Sequence, residues 1–444
     1  MNASNTVSVI GLGKLGLPTA VFFASYGKDV ICYDVSKKLV SDLNASIVES
    51  TESGLIGAFT RHRKRLSFTD SIAHAISHSN ITFVIVPTPS LDSGEFSTEY
   101  VKDAANSIGV ALKAKTEWHL VVLVSTVLPG ETRAKLLDVI EQRSGKICGK
   151  DFGVCYNPEF IALGSVLHNL ANPDFELIGE SDARSGDTLD KFYHDIFSTH
   201  VQRCHMGLEN AELVKVAINT FVTTKISYAN MLAEICENVA GLDVVVVTEA
   251  IGLDNRIGRK YLGGGLGYGG PCFPRDNVAL SAFARRISAN APIADATDVI
   301  NRTQVHRLIG RMIDTCGTAI AHAKIAVLGL SYKQDTSVIE KSQAMEIVEH
   351  LLKLSLQHIT VFDREKTLES AKRKLGSQVR YETSLDAAVK GAKIIVIAVN
   401  DSHFVPPLTS LKDGGNSVIM VDPWRLISPD HIECFASYCT VGKL

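Results

Sequence analysis

Apolar residues follow two different rhythms along this chain. Thr6–Ile10 is a short β-type run. A glycine turn follows, then an apolar stretch to Tyr26, then a second β run, Asp29–Tyr33, that ends in Asp34. Thr82–Val86 and His119–Val124 are nearly continuous apolar runs, a pattern suited to parallel strands covered on both faces. From Glu209 to Val239 the rhythm becomes helical: apolar side chains recur every three or four positions with no Gly or Pro between them. The spacing predicts one long helix, apolar over much of its circumference, that suits a central element or a dimer core. The β rhythm returns at 324–330, which ends in Gly329-Leu330, at Ile359–Phe362 followed by Asp363, at Ile394–Val399 and at Val418–Val421. The expected fold class is α/β: two Rossmann-like doubly wound domains, 1–204 and 320–444, joined by a central all-helical domain, 205–319, with the long helix.

Composition narrows the function class. Of 444 residues 45% are hydrophobic and 21% charged, so a large core is available and global disorder is excluded. The 45 basic and 48 acidic side chains nearly cancel, which leaves no electrostatic footprint for nucleic acid or an anionic membrane. The basic cluster 61–65 reads as a solvated connection. No apolar run approaches the ~18 residues of a membrane span. The chain enters a strand almost at once, with no leader pattern. Nine cysteines are scattered without C-x-x-C spacing, so no disulfide framework or metal site is expected, and a reducing cytoplasm is.

Two motifs carry chemistry. Gly11-x-Gly13-x-x-Gly16 follows a strand and opens a helix, and Asp34 ends the next strand. This is the context a dinucleotide fingerprint requires. Gly11 allows the tight turn, Gly13 lets the backbone approach a pyrophosphate, and Gly16 lets helix and strand pack closely. The helix N-terminus then faces the phosphates. Asp34 favours NAD by accepting from the ribose and repelling a 2′-phosphate, while Lys37 and Lys38 leave NADP open. The second motif is the glycine-rich run 263–270, which ends in Pro271-Cys272-Phe273-Pro274-Arg275-Asp276. Six glycines in eight residues make a loop that can close around a ligand. A nicotinamide fold with an activated cysteine points to a four-electron oxidation of an alcohol to an acid. The thiolate adds to the intermediate aldehyde, and oxidation of that adduct leaves a thioester for water to cleave.

Over roughly 6–427 the chain resembles the UDP-glucose/GDP-mannose dehydrogenase family. The cysteine loop is similar to the family's G-x-G-x-G-G-x-C-F-P-K/R-D. Val86-Pro87-Thr88-Pro89, 125–130, Asn157-Pro158-Glu159-Phe160, Asn255-Arg256-Ile257-Gly258, Glu212-Leu213-Val214-Lys215-x-x-x-Asn219 and 329–333 match further motifs in order. The resemblance implies Cys272 as nucleophile, with Lys215 and Asn219 as donors to the oxyanion. It makes Asp276 and Glu159 the candidates for handling the hydrolysis water. It places Thr88 and Thr126 at the cofactor, and Arg256, Lys333, Tyr261 and Gly269 at the nucleotide-sugar, the arginine reaching in from a neighbouring subunit. NAD is the implied cofactor, UDP-glucose the leading substrate, and a homodimer through the central helix the implied assembly. Neither a nucleic-acid nor a membrane partner is expected.

Two departures stand out. The family's P-E-F-L-x-E-G is here Pro158-Glu159-Phe160-Ile161-Ala162-Leu163-Gly164, with leucine for the second glutamate. The family's F-K-x-x-T-D-D-x-R becomes 332–340, which lacks two acids and the arginine. They keep a UDP-N-acetylhexosamine substrate open. A non-catalytic nucleotide-binding protein is the reading from another class. A two-electron hydroxyacid dehydrogenase would leave the cysteine loop without a use.

Overall fold

The structure is a computed structural model that describes residues 5–161, 163–197, 201–409 and 417–444. It divides into two compact units, Met1–Ile218 and Asn219–Leu444.

The first unit is built on eight strands: β1 (Thr6–Ile10), β2 (Asp29–Tyr33), β3 (Leu66–Thr69), β4 (Ile81–Val84), β5 (His119–Leu123), β6 (Phe152–Tyr156), β7 (Glu176–Glu180) and β8 (Arg203–Gly207). Their order in the sheet is β3-β2-β1-β4-β5-β6-β7-β8. Every pairing is parallel except β6 with β7. The continuous apolar runs are explained by two cores, one on each face. Val9, Cys32, Phe83 and Val122 point into one, and Ile10, Val84, Val121 and Val154 into the other. The apolar stretch after the glycine turn is the helix Gly16–Ser25, buried from Gly16 to Ala24. Phe23 stands 4.7 Å from Phe83 and 5.0 Å from Phe192, ring centre to ring centre.

The second unit combines helices with six parallel strands: β9 (Ile325–Leu328), β10 (Ile359–Phe362), β11 (Arg380–Glu382), β12 (Ile394–Ile397), β13 (Ile419–Val421) and β14 (Ser437–Cys439). Their order is β11-β10-β9-β12-β13-β14. Val305, Leu308, Ile309 and Met312 of the helix Pro292–Cys316 share one core with the strand residues Ile325–Leu328. The last described residues are stapled into this unit. Gly442 N–H donates to Glu237 Oε1 at 2.7 Å, Val244 N–H donates to the Gly442 carbonyl at 2.9 Å, and Arg311 donates to the Lys443 carbonyl at 2.8 Å.

The helix forecast for 209–239 is Leu208–Glu237, and it crosses from the first unit into the second. The strands forecast by apolar runs lie within two residues of their places.

Candidate active site

In the first unit, sheet order reverses beside β1, between β2 and β4, the place where open α/β sheets bind ligands. Gly11 sits there with φ +90°, and a Cβ on it would strike the Ile85 carbonyl. A Cβ on Gly16 would strike the Gly11 carbonyl, so helix and turn close only without side chains. At Gly13 a Cβ would meet nothing within 4 Å. Neighbours in the chain therefore do not demand a glycine at 13, whereas a phosphate lying on that backbone would. Asp34 is anchored as the sequence suggested, at the end of β2: Oδ2 accepts from Leu12 N–H at 2.8 Å and Oδ1 from Ser36 N–H at 2.8 Å. Thr88 and Thr126 are joined, Thr88 Oγ1 donating to the Thr126 carbonyl at 2.9 Å. The open cradle over Gly13, the helix start and the placed carboxylate fit NAD, with Gly11, Gly13, Gly16 and Asp34 as the residues that would hold it.

The same unit brings Glu159 and Lys215 together. Lys215 is buried at 7% exposure; its Nζ donates to the Glu159 carbonyl oxygen at 2.7 Å and lies 4.6 Å from the Phe160 ring centre. Burial, reinforced by the nearby Glu176 carboxylate and opposed by the Lys215 charge, pushes the Glu159 carboxyl well above its ordinary range. Glu176 is buried too and is likewise raised by burial, while accepting from Asn157 Nδ2 at 3.3 Å. Glu212, one turn before Lys215 on the same helix, receives Gly130 N–H and Thr132 N–H, both at 2.6 Å. That clasp ties the segment 125–130 to the helix carrying Lys215. In the sequence Glu212 stands only as one letter of the E-L-x-K motif, with nothing local to announce the clasp.

Leu163, the departure from the family pattern, is partly buried against the core of the first unit. Beside it, Glu52 accepts from Gly164 N–H at 2.8 Å and Val166 N–H at 2.5 Å. Glu52 was missed because 112 residues separate it from that segment. Ala162 lies outside the described residues.

In the second unit Cys272 is exposed and stands at the N-cap of the helix Phe273–Arg286, with Pro274 in its first turn. A helix N-terminus favours negative charge at that place. Asp276, one turn in, is fully buried; its carboxylate accepts from Asn219 Nδ2 at 2.6 Å and pairs with Arg275 Nε at 3.4 Å. Asn277 next to it donates to Thr223 Oγ1 at 2.7 Å. The glycine loop is held from below: Asn230 Oδ1 accepts from Gly265 N–H at 2.9 Å, and Asn301 Oδ1 from Tyr268 N–H at 2.8 Å. Gly269 and Gly270 are small because the 332–341 segment crosses them. A Cβ on Gly269 would strike the Lys341 carbonyl, and one on Gly270 would press on the Tyr332 ring at 2.6 Å.

The remaining expected substrate residues also lie in this unit. Arg256 is exposed and paired with Asp254 at 2.6 Å. Its loop is tied to the long helix through Lys225 Nζ, which donates to the Ile257 and Gly258 carbonyls at 3.0 and 3.2 Å. Tyr261 is exposed in the left-handed region, φ +64°. Lys333 accepts at its carbonyl from Ser331 Oγ at 2.8 Å. Among the described residues no His, Cys, Asp and Glu group of metal-binding form occurs, and no helix is long and apolar enough to cross a membrane.

Three pieces of the UDP-glucose/GDP-mannose dehydrogenase family match the chain: the NAD binding domain over 5–197, the central domain over 209–303 and the UDP binding domain over 326–429. The chain is 33% identical to UDP-glucose 6-dehydrogenase TuaD of Bacillus subtilis, over 98% of this chain and 93% of that protein. It is 33% identical to UDP-glucose 6-dehydrogenase AglM of Haloferax volcanii, over 95% and 97%. Among solved structures it resembles a UDP-glucose dehydrogenase from Pyrobaculum islandicum, with TM-score 0.87, 32% identity and 99% and 98% of the two chains covered. A UDP-D-ManNAc dehydrogenase from Pyrococcus horikoshii follows, with TM-score 0.82, 25% identity and 99% of each chain covered.

Proposed function

The chain belongs to the UDP-glucose/GDP-mannose dehydrogenase family and is an NAD-dependent nucleotide-sugar 6-dehydrogenase; from that premise we propose that its substrate is UDP-glucose and that Cys272 carries the oxidation through to the uronic acid. The observation that carries the mechanism is the exposed Cys272 at a helix N-terminus, one turn from the Asp276–Asn219 pair. The names of the relatives at 33% identity support glucose over the other sugars.

NAD, when bound, accepts a hydride in each of the two oxidations. Removal of the first from C6, with the hydroxyl proton passing to water, leaves an aldehyde. The Cys272 thiolate adds to its carbonyl carbon, and the resulting alkoxide takes a proton. Loss of the second hydride from that carbon, again with the hydroxyl proton passing to water, leaves a thioester. Water then attacks, the C–S bond breaks, and acid and thiol are released. In this reading Lys215 and Asn219 donate to the oxygen as it gains charge. Asp276 is engaged by Asn219 and Arg275, so it positions the amide. Glu159, with its raised carboxyl, suits the general base for water.

The division 1–204, 205–319 and 320–444 belongs to the same proposal, supported by the three matched segments. So does a homodimer through the long helix. Phe221, Tyr228 and Ile235 recur every seven residues on it and are 66%, 47% and 49% exposed, an apolar stripe fit for a second copy. The exposed turn carrying the Asp254–Arg256 pair, tied to that helix through Lys225, suits the arginine's reach into a neighbour. We place the enzyme in a reducing cytoplasm, supplying uronic acid for a cell-surface polysaccharide.

The test is stoichiometry. Two NADH per UDP-glucose and an acid product are expected, with UDP-N-acetylglucosamine and UDP-N-acetylmannosamine much poorer. One NADH and a stable aldehyde would sink the mechanism, and a preference for an acetamido sugar would sink the substrate.

A further inference from the structure

Two side-chain rungs join the long helix to the helix that starts at Cys272. The first is the Asn219–Asp276 pair. The second lies one turn further along the long helix, where Thr223 Oγ1 accepts from Asn277 Nδ2 at 2.7 Å. Both partners are buried, Thr223 at 0% and Asn277 at 1% exposure. The neighbours fix which way the amide faces. Nδ2 also lies 3.2 Å from the Phe273 carbonyl, which can only accept, so the amide must turn its N–H groups this way. The Thr223 hydroxyl directs its own hydrogen to its helix, at the Thr220 carbonyl 2.9 Å away, and so offers Asn277 a lone pair. The third contact of Nδ2 is Tyr268 Oη at 3.3 Å. Tyr268 is held through both backbone groups by the Asn301 side chain, its N–H donating at 2.8 Å and its carbonyl accepting at 3.0 Å. One buried amide thus gathers three segments: the long helix, the glycine loop and the turn that carries the thiol.

The first turn of a helix is its least restrained part, because its N–H groups have no partner within the helix. One rung leaves that turn free to pivot about a single contact. Two rungs, at positions 219 and 223 of the long helix and at neighbouring positions 276 and 277 of the other, fix its direction as well. We propose that Asn277, held by Thr223, is a positioning residue for the covalent step, setting the direction in which the helix start presents the Cys272 thiol. Asn277 acts through the turn and not on the reacting atoms. The proposal rests on Cys272 as the nucleophile. A nucleophile misplaced by about 1 Å loses on the order of 10²-fold in rate, so the effect falls on turnover and not on affinity.

The test is Thr223→Val in the full chain, which keeps the branched shape and removes the acceptor. Its kcat with UDP-glucose is expected to fall about 10- to 100-fold, with the KM values for UDP-glucose and NAD within about threefold of the unmodified chain. Alkylation of Cys272 by iodoacetamide at one fixed pH, read by peptide mass, should slow by about threefold or more, because a helix start without a fixed direction stabilises a thiolate less. Thr223→Ser keeps the hydroxyl and should recover both readings. Asn277→Leu should match Thr223→Val, and the double variant should be no worse than either single one. The threonine pair decides the matter if Asn277→Leu does not fold. A lower melting temperature with kcat and alkylation unchanged would make the rung merely structural and overturn the proposal. So would equal losses in Thr223→Ser and Thr223→Val, or losses that add in the double variant. Alkylation reads the thiol without turnover, so it separates this proposal from the oxidation reading, which falls on its own if Cys272→Ser still makes NADH at a near-normal rate.

Discussion

The two sheets run the same strand order around their first strand, yet their crevices differ. After β1 the chain turns at Gly11, and a helix begins at Gly16. After β9 it turns at Gly329 with nearly the same φ, but no helix starts until Gln343. Both crevices hold an aspartate at the end of the second strand, and both aspartates bind the N–H that follows the glycine. On the proposed reading Asp34 accepts from a ribose, and the spacing of Gly13 and Gly16 brings a helix N-terminus to the turn as a diphosphate seat. One framework thus carries two differently built crevices.

The comparison can be broken at several points. Cys272→Ser removes no residue of the dinucleotide fingerprint, so it should cut steady-state turnover by at least about 10³-fold while NAD still binds. Near-normal NADH production would make the cysteine structural. Gly13→Val should weaken NAD by on the order of 10²-fold, since phosphate loses close N–H donors. Its melting temperature should hold, because no neighbour occupies that space. Unchanged NAD affinity would refute the seat.

Asp34→Ala should lower kcat/KM for NAD about tenfold and narrow the gap to NADP, whereas Asp363→Ala should leave the KM for NAD unchanged. Equal effects on NAD would erase the distinction between the crevices. The smallest effect is expected in pH dependence. A general base must be ionised, so thioester hydrolysis should speed up as pH rises through the raised range of Glu159. Glu159→Gln should flatten that limb and let a covalent adduct accumulate, visible by intact mass; a limb that persists would move the role to another group.

Much of this layout is legible in the chain because parallel strands buried on both faces must be apolar throughout. β1, β4, β5 and β12 could be found that way. β3 and β6–β8 could not: β3 alternates, β6 and β7 carry internal glycines, and β8 is a half-exposed edge with Arg203 and His205. The fingerprint and the cysteine loop were legible because their glycines do visible steric work. Glu52, Glu212 and Asp363 act through backbone N–H groups of other segments, which no local spacing announces. Asp363 was visible as a strand end, but the glycines that would have flagged its crevice are absent.

The stapled C-terminal segment bears on synthesis. Everything the first unit needs has been made once residue 218 has emerged, so that unit can fold while translation continues. The second unit lacks the Gly442 and Lys443 clamps on Glu237 and Arg311 until residues 442 and 443 emerge. At ribosomal speeds that leaves its helices waiting roughly ten to forty seconds. During that interval the apolar stripe of Phe221, Tyr228 and Ile235, exposed even in the folded chain, stands on an unfinished unit, where a chaperone would be useful.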